Sequence, residues 1–100
     1  MDKAKGYWVA HVTLSDPAGY AAYRAMAAPA IAAQGGRILA LGGAQQTVAG
    51  QMRPHTVIVE FPDLAAARAC YFGAAYQATI AARDASAEVD LSIIEGHTIA

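Results

Sequence analysis

The chain has 100 residues, a formal charge of −1, 56% hydrophobic and 15% charged residues. That is one domain's length, spanning residues 1–100, and too apolar for an intrinsically disordered chain. A nearly neutral chain gives no electrostatic handle for nucleic acid or an anionic membrane, and Cys70 alone excludes an internal disulfide.

In chain order, Tyr7-Trp8-Val9-Ala10-His11-Val12-Thr13-Leu14 is aromatic and β-branched, which predicts a first strand. It stops at Ser15-Asp16-Pro17, where Asp16 suits a helix cap and Pro17 the first helical position. Tyr20, Tyr23, Ala27, Ala30 and Ile31 then recur at helical spacing, with Pro29 expected to kink or restart the helix and Gly35-Gly36 to end it. Arg37 to Leu41 is a short second strand closed by Gly42-Gly43, and Gly50 to Pro54 is a loop. His55 to Phe61 is the clearest strand. Asp63 caps a second helix that Gly73 interrupts, and a further helix is expected from about Ala75 to Ala85. Glu88 to Ile94 alternates polar and apolar residues, the pattern of a half-buried last strand. The window from Ala18 to Ala33 holds Arg24 and Pro29, so it is an amphipathic helix rather than a membrane span, and a cytoplasmic protein is expected.

The order strand, helix, two strands, helix, strand gives an α+β, ferredoxin-like βαββαβ fold: a four-stranded antiparallel sheet with its helices on one face. Strand residues alternate between faces. Trp8, Ala10, Val12, Val57, Val59, Phe61, Val89, Leu91 and Ile93 belong against the helices. Tyr7, Val9, His11, Thr13, Thr56, Ile58, Glu60, Glu88, Asp90, Ser92 and Ile94 are left on the other face, with Leu39 and Leu41 as candidates to join them. That second face is too apolar for solvent and too polar for a dry core. Two copies packed sheet to sheet would bury its apolar part and enclose its polar part, which predicts a symmetric homodimer around a cavity.

An ordered set of residues along nearly the whole chain resembles the small bacterial proteins of domain-of-unknown-function family 1330. The set is Gly6-Tyr7-Trp8-Val9-Ala10, Asp16-Pro17 with Tyr20 and Tyr23, Gly35-Gly36-Arg37, Gly42-Gly43, Glu60-Phe61-Pro62, and Tyr71 with Tyr76-Gln77. The resemblance implies a subunit of the dimeric α+β barrel superfamily, whose members include cofactor-independent monooxygenases, isomerases and haem proteins. Fold-level likeness of this kind constrains function little. Many members carry Ser-Pro-Glu where this chain has Gly73-Ala74-Ala75, and a tryptophan where it has Met52, which implies a different ligand.

On the residues themselves, His11 and Glu60 are the candidate catalytic pair, on the expectation that the first strand lies between the second and third. A histidine oriented by a carboxylate takes and returns protons at neutral pH. Asp90, Arg83, Tyr23 and Tyr76 are the candidate substrate-binding groups. This predicts a small-molecule enzyme that needs no bound cofactor, either an isomerase or a monooxygenase-like protein. The alternative is a non-catalytic homodimer in which the same groups bind a metabolite or fix the interface. Arg37 and Arg53 read as solvated side chains or anion clamps, and Cys70 as an inert buried thiol. His55 and His97 have no metal-ligand spacing with His11, so no metal is expected. The glycine pairs make no dinucleotide or phosphate loop, and no nucleic-acid or membrane partner is expected.

Overall fold

The computed structural model describes residues 3–98. Four strands, β1 (Gly6–Leu14), β2 (Arg37–Leu41), β3 (His55–Phe61) and β4 (Ala87–Glu95), form one antiparallel sheet in the order β2-β3-β1-β4. Helices α1 (Pro17–Ala33), α2 (Leu64–Phe72), α3 (Ala74–Gln77) and α4 (Ile80–Ser86) cover one face. This is the ferredoxin-like arrangement. The principal extents, 43 × 36 × 17 Å, are those of a two-layer slab with an open sheet face.

The helix termini follow their capping chemistry. Asp16 accepts from the Gly19 N–H at 3.1 Å, and Asp63 from the Ala66 N–H at 2.8 Å, each satisfying a first-turn donor. Gly35, at φ 76°, ends α1, and the Gly36 N–H returns to the Ile31 carbonyl at 2.9 Å. Two expectations differ. The first helix runs through Pro29 without restarting. The single helix expected after Gly73 is two, α3 and α4, because Thr79 turns its hydroxyl back onto the Tyr76 carbonyl at 2.7 Å.

The core forms on the helix side, where Trp8, Val59, Phe61, Tyr76 and Ala67 are almost wholly buried. The Trp8 ring lies 4.8 Å from Tyr76, 5.1 Å from Phe61 and 5.6 Å from Tyr71, and its N–H donates to the Ala67 carbonyl at 2.8 Å. One strand therefore ties α2 and α3 to the sheet through a single indole.

Strand order and register correct the sequence reading in two places. β1 lies between β3 and β4, not between β3 and β2. The β2–β3 register shifts between Ile38 and Ala40, so one extra residue, Leu39, flips the rest of the strand. Leu41 consequently joins Ile38 on the helix side rather than the open face.

Candidate pocket between the first helix and the sheet

α1 packs along α3 and α4 and stands off the strands. The space left between it and the inner face of the sheet is a pocket of about 380 Å³, within the range of small-molecule sites. Its floor is Trp8, Ala10, Val57, Val59 and Leu91, and Ile38 and Leu41 of β2 form its rim. Its roof is α1, which presents Ala21, Ala25, Ala27 and Ala28 as well as Tyr20, Tyr23 and Arg24. Ala21, Ala25 and Ala28 put little side chain into this space, so much of its volume stays open.

At the closed end the polar groups converge. Tyr23 and Tyr76 approach hydroxyl to hydroxyl at 2.6 Å. Arg83, only 8% exposed, donates from Nη1 to the hydroxyls of Tyr76 and Tyr71, both at 3.3 Å, and from Nε to Asp84 at 3.0 Å. Burial opposes the guanidinium charge, but the bonds to Tyr71, Asp84 and Tyr76 outweigh it and hold Arg83 ionised. Burial also drives the Tyr23 phenol far above its ordinary range, with the neighbouring Tyr76 adding to the shift, so Tyr23 stays protonated. The lining holds two arginines and no aspartate, glutamate or histidine. These groups are hydrogen-bond donors suited to an oxygen-bearing group, and the lining offers no carboxylate or imidazole as a base.

The other predicted residues stand on the opposite face. His11 is directly across from Thr56 on β3 and from Asp90 on β4, whereas Glu60 is across from Tyr7. Four residues of strand, roughly 13 Å, separate His11 from Glu60 along the sheet, so the expected pair is not formed. His11 Nδ1 instead meets the Thr56 hydroxyl at 3.3 Å. Glu60 accepts from the Tyr7 hydroxyl at 2.9 Å and from Arg37 at 2.8 Å, and these bonds hold its carboxyl below the usual range. Asp90 accepts from Arg53 Nε at 2.8 Å. The same guanidinium bonds Thr13 at 3.0 Å and Glu88 at 2.9 Å, strapping the loop before β3 across the open face. A shallow depression beside this strap includes His11, Met52, Arg53 and Asp90.

The structure thus brings Tyr23, Tyr76 and Arg83 into one pocket, and leaves His11, Asp90 and Glu60 outside it. Sequence reasoning missed Arg24 at the pocket and Tyr71 as a partner of Arg83. Arg24 adjoins Tyr23 in the chain, which was a usable signal; the contact from Tyr71 to Arg83, twelve residues on, had none. Among the described residues, no three His, Cys, Asp or Glu side chains gather as a metal site, and no helix is long and apolar enough to cross a membrane.

Fold and site together define a ferredoxin-like α+β protein with a ligand-sized pocket beneath its first helix. The chain belongs to the family described as Domain of unknown function (DUF1330), whose model matches residues 5–97. No curated protein matches it in sequence. RPA0582, a protein of unknown function from Rhodopseudomonas palustris, is 20% identical with a TM-score of 0.74, over 97% of this chain and 85% of that one. SnoaB, a cofactor-independent oxygenase from Streptomyces nogalater, is 16% identical with a TM-score of 0.66, over 96% of each chain. A protein from Bacteroides thetaiotaomicron described as a possible oxidoreductase is 12% identical with a TM-score of 0.53, over 93% of this chain and 98% of that one. At these identities the likeness establishes the fold alone.

Proposed function

We propose that this protein binds a small, largely apolar organic molecule in the pocket beneath α1 and acts on it as a small enzyme of the cofactor-independent kind. The observation that carries this reading is a cavity of about 380 Å³, apolar along its length and closed by the Tyr23–Tyr76–Arg83 cluster. An apolar cleft with a few convergent polar groups is what small-molecule recognition requires. The chemistry such a pocket favours is stabilisation of a developing oxyanion beside Arg83. SnoaB has a similar fold and is a cofactor-independent oxygenase, which supports the class of reaction considered.

The open sheet face is proposed to meet a second copy of the chain. Val9, Ile58 and Ile94 supply its apolar part, and the Arg53–Asp90 and Arg37–Glu60 pairs its polar part. A second reading keeps His11 and Asp90 as the working groups: they face each other across β1 and β4 beside a depression that a partner would enclose.

A thermal-shift screen of small aromatic and aliphatic compounds separates the readings. A ligand at 100 times its Kd adds about 2.7 kcal/mol, roughly 10–20 °C for a domain this size. Ala28→Phe, which fills the roof of the pocket, should abolish the shift, and His11→Ala should leave it intact. Shifts lost in His11→Ala and kept in Ala28→Phe would move the site to the sheet face. Ile58→Lys should convert a dimer to a monomer in analytical ultracentrifugation.

A further inference from the structure

The hydrogen bonds at the closed end of the pocket have a direction. Arginine has five donors and no acceptor, so the Tyr76 oxygen must accept from Arg83 Nη1 at 3.3 Å. The Tyr76 proton therefore points away from the guanidinium, and its near neighbour there is the Tyr23 oxygen at 2.6 Å. Tyr76 is wholly buried and has no other acceptor for its proton among the described residues, so the assignment that leaves no buried proton without a partner has Tyr76 donating to Tyr23. Once Tyr23 has accepted, its own proton leaves along another direction. Among the described residues Tyr23 has no hydrogen-bond partner other than Tyr76, and it lines the pocket. The side chain is 7% exposed, so the open direction is the pocket and not bulk water.

We infer that the chain Arg83→Tyr76→Tyr23 ends in a hydroxyl donor held for an acceptor on the ligand, and that the ligand is an aromatic or conjugated oxyanion such as a carboxylate, phenolate or enolate. The inference rests on the pocket reading above and adds the chemical class. Three features favour an anion over a neutral acceptor. Arg24 and Arg83 are both in the lining, and no carboxylate is. Asp84, the carboxylate bonded to Arg83, is exposed and outside the lining. Donors in series also polarise one another, so the Tyr23 hydroxyl is a stronger donor than an isolated phenol. The rings of Trp8 and Tyr76, with Val57 and Val59, supply the apolar surface for the conjugated part.

The test compares three probes of one size, 2-naphthoate, naphthalene and protonated 2-naphthylmethylamine, by calorimetry on the purified chain. The expected order is naphthoate tightest and the ammonium weakest. Tyr23→Phe should cut the naphthoate-to-naphthalene preference roughly ten-fold or more, the loss expected for a hydrogen bond to a charged group, while naphthalene still binds. Tyr76→Phe, which breaks the relay one link back, should lower the same ratio and serves if Tyr23→Phe does not fold. Equal affinity for naphthoate and naphthalene, or a preference that survives Tyr23→Phe or Tyr76→Phe, overturns the inference and leaves the pocket standing, whereas naphthoate binding that survives Ala28→Phe overturns the pocket reading too. Failure of all three probes to bind overturns the pocket reading as well.

Discussion

Trp8 is the side chain whose removal should cost the fold most for the smallest change in shape. It is 2% exposed and bonds the Ala67 carbonyl at 2.8 Å, and it touches three aromatic rings. Trp8→Phe deletes that hydrogen bond, worth about 1 kcal/mol net. It also withdraws the equivalent of two to three buried methylenes, roughly 2 kcal/mol at 0.8 kcal/mol each, before any cavity term. The sum, about 3 kcal/mol, is a large share of the roughly 5–15 kcal/mol typical of a whole domain. A chain of this length should lose roughly 12–24 °C in Tm, and its urea midpoint should fall with the slope unchanged. Phe72→Ala is the control: that ring is 70% exposed, and its loss should stay within about 0.5 kcal/mol. A Trp8→Phe loss below about 1 kcal/mol would refute the idea that the indole ties α2 and α3 to the sheet.

Three further outcomes follow from local geometry. At Gly6 an added Cβ would sit 2.4 Å from the Asp63 carbonyl oxygen and 2.7 Å from Leu64 Cα, both backbone, so Gly6→Ala should part β1 from α2; a circular-dichroism melt matching the parent's would contradict this. Burial pushes the Cys70 thiol up to about 11, and it donates to the Ala30 carbonyl at 3.5 Å. It should resist a disulfide reagent at pH 8 until urea unfolds the chain, and prompt labelling of the native protein would count against that burial. Asp63 is held below the ordinary carboxylate range by the Ala66 N–H and Lys3, and Glu60 by Tyr7 and Arg37. The unfolded chain then binds more protons than the folded one in the window between the two sets of pKa values, so stability rises with pH there. The contribution is complete above roughly pH 5 and lost as pH falls below about 4, through the lowered folded values. The urea midpoint should fall over that range, less so in Asp63→Asn, and a midpoint unchanged from pH 5 to 3 would show the pairs contribute nothing.

The sheet is legible in the sequence because half-burial writes a period of two. Trp8-Ala10-Val12 and Val57-Val59-Phe61 are unbroken apolar sets at every second position, whereas the positions between them mix Val9 and Ile58 with His11 and Glu60, and both apolar sets land on the helix side. Asp16-Pro17 and Asp63 mark their helix starts for an equally local reason. What the pattern does not carry is anything set by register between strands. His11 and Glu60 share a face, which alternation gives, but only the pairing of Glu60 with Tyr7 keeps them apart. The bulge at Leu39 is likewise invisible: one extra residue in a five-residue strand reverses Leu41 and leaves no mark on composition. Tyr23, Tyr76 and Arg83 are recognisable singly as polar groups on apolar helices. Their convergence depends on how α1 lies along α3 and α4.

The pocket itself is written in the alanines, though a single sequence does not say how to read them. An alanine-rich helix looks like a strong helix former, and α1 is one. Laid over a sheet, the alanines leave the roof short of side chain everywhere but at Tyr20, Tyr23, Arg24 and Ile31, and the gap stays open. Protein interiors are otherwise packed to the density of organic crystals. An enclosed apolar void of about 380 Å³ would cost on the order of several kcal/mol at roughly 24 cal/mol per Å³, a penalty that a partly open, wetted pocket only reduces. A chain selected for stability alone would fill it. Ala28 lines the pocket and is exposed, and leucine is nearly as good a helix former, so Ala28→Leu should add apolar burial at little backbone cost. The expected result is a Tm raised by several degrees, about 1 kcal/mol of added burial, together with weakened ligand binding. A substitution that leaves both Tm and binding unchanged would mean that α1 already meets the sheet there, and that the alanines do no more than make the helix.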